Sequence, residues 1–151
     1  MLKKNKKSGL NNGKSNGIPF RTVDSGILED VDFNTLCPVF SLRYMSRKHG
    51  LESCTPEEKQ AFVGRMILLS KLTWREIIAA PRCGLGSEKI KRSSITKDSI
   101  PTEIPPDAKF LALHFYGKAR MVGFREKEIF RRDIFHIVWL DRGFTLYDHG
   151  A

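Results

Sequence analysis

Cationic and proton-transferring side chains are concentrated between Phe110 and Ala151 in this 151-residue sequence. The set comprises Arg120, Arg125, Lys127, Arg131, Arg132, His136, Tyr147 and His149. Arginine and lysine neutralise phosphates, and histidine exchanges protons near neutral pH, so these residue types suit the handling of a phosphodiester backbone. The solvated face of an ordinary basic sheet carries the same residue types. Both interpretations require a sheet that other elements support.

Two capping boxes predict the helices that provide this support. Residues 55–58 (TPEE) combine a capping threonine, a proline suited to the first helical position and a glutamate, which predicts a helix from residue 56 to about residue 71. Residues 73–76 (TWRE) repeat the pattern and predict a short helix over residues 74–80, since Pro81 cannot continue it.

Alternating and apolar runs predict the strands. They cover residues 38–45, 110–116, 119–130, 134–140 and 144–149. Short links join the last four runs, so they should pair antiparallel in a meander, with the run 134–140 in a central position. The link at residues 141–143 is a tight turn in which Gly143 is expected at a position of positive φ. The sequence therefore predicts an α+β fold, with two helices packed on one face of a small antiparallel β-sheet and the other face free.

The remaining segments set the domain organisation. Residues 1–18 are rich in Lys, Asn, Gly and Ser and predict a flexible basic tail, and residues 19–151 are expected to form a single domain. Residues 91–107 contain three prolines and predict a surface loop. Residues 82–90 are interpreted as a glycine-dependent turn, with an anion-cradling nest as the alternative. A leader strand over residues 26–36 is a further possibility, placed against the basic face.

Composition limits the classes of function. The formal net charge is +9, and residues 1–20 supply five lysines and no acid, so a polyanionic partner is favoured but not required. Cys37, Cys54 and Cys83 are too widely spaced for a zinc motif and are expected to be reduced and mostly buried. No signal peptide, membrane span, metal or cofactor is expected, and a cytoplasmic location follows from this.

The order of the elements, with the sequence Tyr147-Asp148-His149 in the last run, resembles the RelE/ParE superfamily of bacterial toxins over about residues 38–149. The resemblance implies a RelE-like fold with two N-terminal helices, RNA or the ribosome as a partner and an antitoxin protein that neutralises the toxin. YoeB-like members end in a similar His/Tyr cluster, and RelE-like members use residue types that match Arg125, Lys127 and Tyr147. Members of the ParE branch inhibit a topoisomerase instead.

The resemblance implies cleavage of ribosome-associated mRNA without a metal, which needs a proton acceptor, cations at the phosphate and a proton donor. The resemblance then implies that the catalytic residues are His149, Tyr147, Arg125 and Lys127. His149 would exchange protons, and Arg125 and Lys127 would hold the phosphate. The RNA-binding residues are Arg120, Arg131, Arg132, Lys118 and Lys89. His114 and His136 are interpreted as hydrogen-bonded core histidines. The alternatives are a non-catalytic module that binds RNA or protein through the same face, and a ParE-like inhibitor.

Overall fold

A computed structural model describes residues 31–82, 84–128 and 130–149, which form an α+β fold with two helices and one five-stranded sheet. The elements in chain order are β1 (Pro38–Ser41), α1 (Pro56–Leu69), α2 (Trp74–Ala79), β2 (Ser87–Ile90), β3 (Phe110–Tyr116), β4 (Ala119–Glu128) and β5 (Arg132–Asp141). The strands lie in the order β1-β5-β4-β3-β2 across the sheet. The predicted tail at residues 1–18 lies outside the described residues.

Both predicted helices are confirmed, and the capping residues explain where they begin. The side chain of Thr55 accepts a hydrogen bond from the backbone N–H of Glu58 at 3.2 Å. Thr73 forms a complete capping box, because its hydroxyl accepts from the Glu76 N–H while the Glu76 carboxylate accepts from the Thr73 N–H at 2.8 Å. These bonds satisfy backbone donors that have no partner within the helix.

The sheet is mixed, so the prediction of an antiparallel sheet is wrong in part. The meander of β3, β4 and β5 is antiparallel as predicted, and β5 is an interior strand between β1 and β4. However, β1 pairs parallel with β5, with Pro38 opposite Asp133 and Ser41 opposite His136. The connection between these two strands contains both helices and the strands β2, β3 and β4, so it is long enough to return the chain for parallel pairing.

Three further segments differ from the prediction. β1 ends at Ser41 instead of continuing to residue 45. Residues 87–90 form the edge strand β2 against β3, where a glycine-dependent turn was predicted. Residues 144–149 form no strand; the Asp141 carboxylate accepts hydrogen bonds from two backbone N–H groups, of Thr145 and Leu146, and curls the chain. The positive φ of this turn belongs to Phe144, at 58°, and not to Gly143.

Both faces of the sheet are covered, which corrects the prediction of a free face. The helices cover one face, where Phe62 and Trp74 pack with sheet residues such as Phe135. The other face lies under residues 91–108 and the segment 144–147. The predicted surface loop is therefore a cover, and its Ile104 is only 2% exposed.

Several smaller predictions have mixed outcomes. Residues 26–30 of the predicted leader strand lie outside the described residues, and Phe33–Thr35 forms a 3₁₀ turn beside α2. Cys54 is buried whereas Cys37 is exposed, both thiols are free, and Cys83 lies outside the described residues. No helix in the described part of the chain has the length and apolar character needed to cross a membrane.

Candidate active site

The structure does not bring the four predicted catalytic residues together. Arg125 lies on the helix-covered face, with its guanidinium 4.3 Å from the Trp74 ring and ion-paired with the buried Asp133. Lys127 lies over the Phe33 ring at 5.6 Å. Tyr147 belongs to the cluster on the opposite face. Arg125 and Lys127 therefore cannot share a site with Tyr147 and His149, because the sheet separates them.

A cavity lies at the end of the sheet where β3 turns into β4. Its volume is about 270 Å³, several times the ~30 Å³ that one water occupies. Its lining residues are Arg82, Gly86, Glu88, Ala112, Arg120 and Phe144. We call this space the corner cavity; it combines two arginines and a carboxylate with an aromatic ring.

Arg120 is the residue of the corner cavity whose hydrogen bonding is least complete. Its guanidinium lies 5.0 Å from the centre of the Phe144 ring, and its NH1 nitrogen is buried with no hydrogen-bond partner among the described residues. The neighbouring carboxylates are occupied elsewhere, since Asp141 accepts from backbone N–H groups and Glu88 binds two other side chains. A buried donor without a partner is costly, so a movement of the Arg120 side chain that brought NH1 to an acceptor would be favourable.

Glu88 connects the two walls of the cavity. One carboxylate oxygen lies 2.5 Å from Arg82, and the other accepts the hydroxyl of Tyr147 at 3.1 Å. Burial, together with the charge of Glu88 and this hydrogen bond, raises the pKa of Tyr147 well above its usual value. Tyr147 therefore stays protonated at neutral pH and acts here as a hydrogen-bond donor.

His149 contacts Phe144, which lines the corner cavity, but is not itself among the lining residues. Its ring stacks on Phe144 with centroids 3.6 Å apart and an interplanar angle of 27°. Its Nε2 lies 2.6 Å from the carbonyl oxygen of Phe144. A carbonyl oxygen only accepts, so Nε2 carries a proton and Nδ1 is the nitrogen that exchanges protons.

The predicted RNA-binding residues are divided between the two ends of the sheet. Lys118 is exposed in the turn two residues before Arg120, and Lys89 is exposed next to Glu88. Arg131 and Arg132 lie beyond the opposite end of β4, and Arg132 is ion-paired with Glu128. At about 3.3 Å per residue, the eight steps from Arg120 to Glu128 place these groups roughly 25 Å apart.

The predicted core interpretation holds for His136 but only in part for His114. His136 is 4% exposed, stacks on Phe124 and lies 2.5 Å from the Glu126 carboxylate. His114 lies partly exposed near the end of β3 and has Arg120 as its cross-strand neighbour.

Sequence reasoning did not include Arg82 and Glu88 among the site residues. A signal was present, because the nest interpretation of residues 82–90 placed an anion beside these glycines. The structure brings Arg82 and Gly86 into the cavity lining. Gly86 is required by close packing, since a Cβ there would lie 2.4 Å from the carbonyl oxygen of Ala80.

Within residues 31–82, 84–128 and 130–149, no group of three or more His, Cys, Asp or Glu side chains is arranged to hold a metal ion. No protein-family model, no curated protein and no solved structure matches the chain.

Proposed function

We propose that this chain is a metal-independent endoribonuclease that cleaves RNA at the corner cavity, in the manner of a toxin-like mRNA interferase. The observation that carries the proposal is the buried NH1 of Arg120, which has no partner among the described residues and belongs to a side chain lining the cavity. Because this nitrogen is closed to solvent, the Arg120 side chain must turn it toward the cavity before a phosphate oxygen can accept from it. A phosphate contact with arginine is charge-assisted and often bidentate.

Arg120 and Arg82 contribute to phosphodiester binding in different ways. Arg120 is held over Phe144, so its position is fixed before a ligand arrives. Arg82 is exposed and is oriented by Glu88 from the edge strand. Positive groups fixed in advance stabilise the negative charge that develops on phosphorus during the reaction.

His149 supplies the proton that the leaving oxygen requires. Its free Nδ1 carries a second proton when the ring is imidazolium, while Nε2 keeps its bond to Phe144. In the reaction the ribose O2′ loses its proton to solvent and bonds to phosphorus. The P–O5′ bond then breaks, and O5′ takes the proton of His149. The products are a 2′,3′-cyclic phosphate and a 5′-hydroxyl end.

The finer parts of the proposal come from the resemblance to RelE/ParE toxins. The order of one strand, two helices and an antiparallel meander supports a RelE-like arrangement, although the parallel β1 and the covered second face differ from the sequence-based expectation. On the same basis, the proposal includes ribosome-associated mRNA as the substrate, an antitoxin as a partner and a cytoplasmic location.

Cleavage of a labelled oligoribonucleotide in excess chelator tests the proposal. We expect cyclic-phosphate and 5′-hydroxyl ends, and a loss of about tenfold or more for Arg82→Gln because one phosphate contact is removed. Arg75→Gln is the matched control, since Arg75 is also an exposed arginine paired with a carboxylate, Asp32 on the helix side. Absence of cleavage by the wild type, or equal rates for the two variants, would contradict the proposal.

The engagement of Glu88 favours a second candidate, a non-catalytic RNA-binding module. Both oxygens of this carboxylate already accept hydrogen bonds, so none of the described residues that line the cavity offers an unengaged carboxylate to accept a proton. A binding module would retain salt-sensitive RNA affinity without cleavage, and that affinity would survive His149→Ala. Induced expression separates the candidates, because growth arrest abolished by His149→Ala requires the endonuclease.

A further inference from the structure

The outer side of α1, together with the turn that follows it, is formed by exposed residues. We call this surface the α1 stripe, and its members are Glu57, Gln60, Val63, Gly64, Ile67, Leu68 and Lys71. Val63, Ile67 and Leu68 are 47%, 53% and 45% exposed, whereas Phe62 and Leu69 of the same helix are buried in the core on the sheet side. Single exposed apolar side chains are ordinary, but a group of them on one surface marks an interaction site.

Gly64 lies among these apolar side chains and leaves room for a second helix. A Cβ at this position would meet no heavy atom within 4 Å. Glycine weakens the interior of a helix, and nothing in the described part of the chain packs closely enough here to require it. The distance between two packed helices depends on the side chains at their contact, so a glycine at the crossing point lets the helices approach closely.

Opposite charges flank Gly64 at equal distances. Glu57 lies seven positions before it and Lys71 seven positions after it, and Ser70 still has helical backbone, so the helical path reaches Lys71. Seven residues are close to two turns, which places both charges on the Gly64 side of the helix and about 10 Å from it in either direction. Both side chains are exposed, and neither belongs to an ion pair among the described residues.

We infer that the α1 stripe is the contact surface of a symmetric homodimer, in which two copies of α1 cross antiparallel at Gly64. A two-fold axis through Gly64 places Glu57 of each copy opposite Lys71 of the other, so the stripe is complementary to itself in charge. The apolar side chains beside Gly64 then meet at the centre of the contact. Parallel helices would place like charges together, which disfavours that arrangement.

The α1 stripe has the size of a small specific interface. Two helices in contact over about 24 Å, in a band roughly 10 Å wide, bury on the order of 1,000 Å² in total, near the lower limit for a specific complex. We therefore expect a weak dimer, with a dissociation constant of about 1–100 µM. Ala112 and Phe144 of the corner cavity belong to the opposite face of the sheet, so both cavities of the dimer stay open and the inference does not depend on the proposed activity.

Sedimentation equilibrium of the full chain over a concentration series tests the inference, and an exchange of charges locates the contact. Glu57→Lys and Lys71→Glu should each weaken dimerisation by about tenfold, because two attractive contacts become repulsive. The double variant with both substitutions should recover most of the wild-type affinity, since the pairs are restored in reversed order. Effects on the folding of a single chain would instead add up in the double variant.

Ile67→Lys should weaken dimerisation by about tenfold or more, since it places a charge at the centre of the contact. Val39→Lys is the matched control, because Val39 is also an apolar residue, 47% exposed, but lies on β1, and the substitution adds the same charge. It should leave the affinity within about twofold of the wild type. A wild type that stays monomeric at every concentration, a double variant as weak as the two single variants combined, or equal effects of Ile67→Lys and Val39→Lys would overturn the inference.

Discussion

At the scale of single residues, Arg120 and Arg125 show that the partners of a side chain decide its role more than its type does. They lie five positions apart on β4, and sequence reasoning ranked Arg125 higher. In the structure Arg125 binds Asp133 and Asn34, so its donors are used in holding the fold. Arg120 lines a cavity and keeps a buried donor that has no partner in the described part of the chain. No local sequence pattern reveals this difference. Asn34 is distant in sequence from Arg125, and Asp133 becomes a partner of Arg125 only through the register between β4 and β5.

The hydroxyl of Tyr147 should make stability depend on alkaline pH. Its folded-state pKa is raised above the ordinary value of 10.0, so its contribution is fully present below pH 10 and is lost as the pH rises above it. Tyr147→Phe should reduce the free energy of unfolding by about 1–2 kcal/mol at pH 8, since a hydrogen bond to a charged acceptor is lost. The free energy of unfolding of this variant should also decrease less than that of the wild type between pH 9 and pH 11.

Urea unfolding at several pH values measures this dependence. Tyr116→Phe is the control, because Tyr116 is 49% exposed and should leave both the stability and its alkaline decrease unchanged. An identical alkaline decrease in Tyr147→Phe and the wild type would show that the Tyr147 hydroxyl is not held by Glu88.

At the scale of elements, the parts that sequence predicted well are those defined by neighbouring residues. The helix starts follow from contacts three residues apart, as between Thr73 and Glu76. β2 was missed because its partner residues in β3 lie 20 to 26 positions further along the chain. Residues 144–149 alternate like a strand, yet the Asp141 carboxylate captures the backbone N–H groups of Thr145 and Leu146 and leaves one bridge, between Ile95 and Tyr147.

The cover formed by residues 91–108 should be held in place by Asp98. Its carboxylate accepts from Ser46 at 2.6 Å and from His49 at 3.0 Å. Burial acts to raise the pKa of Asp98, but these hydrogen bonds, with that from the Ser99 N–H, outweigh burial and lower the pKa. The contribution to stability is therefore present above pH 3.8, the ordinary value, and is lost as the pH falls through the lowered pKa.

Asp98→Asn should reduce the free energy of unfolding at pH 7 by about 2 kcal/mol, since hydrogen bonds to a charged acceptor weaken. It should also flatten the loss of stability below pH 4 and accelerate hydrogen exchange in the cover. Asp107→Asn, at an exposed position of the same cover, is the control. Equal effects of the two substitutions would contradict the role given to Asp98.

The pairing of β4 with β5 should be sensitive to a single methyl group at Gly123. A Cβ at this position would lie 2.0 Å from the carbonyl oxygen of His136, beside an irregularity in the register. Gly123→Ala should therefore cost about 3 kcal/mol, because backbone must move to accept it. Gly64→Ala, in an open position of α1, should instead stabilise by up to about 1 kcal/mol. Thermal melting of both variants checks the two opposite signs.

At the scale of the whole molecule, the parallel pairing of β1 with β5 and the cover on the second face move the candidate site. Sequence reasoning placed it on an open sheet face, whereas the structure closes both faces and leaves a cavity at one corner. The pairing of β1 joins residues more than ninety positions apart, which no local pattern could indicate. The residue types in the C-terminal region indicated the kind of chemistry, but the sequence did not indicate which of these residues lie together in the fold.

Charge is also distributed over the whole molecule, and five of the lysines lie within residues 1–20. If these lysines contact the RNA backbone, replacing all five with glutamine should reduce the slope of log affinity against log salt by up to about 3.5, at roughly 0.7 per phosphate contact. Filter binding of one oligoribonucleotide over a salt series measures the slope. An unchanged slope would confine binding to the rest of the chain.

The most direct test of the corner cavity compares two cations on opposite faces of β4. The rate of oligoribonucleotide cleavage in excess chelator is measured for Arg120→Gln and Lys127→Gln. Loss of a positioned charge at the reacting phosphate should slow Arg120→Gln by about 100-fold or more, while Lys127→Gln should stay within about twofold of the wild type. Full activity of Arg120→Gln, or loss of activity in Lys127→Gln, would contradict the placement of the site in the corner cavity.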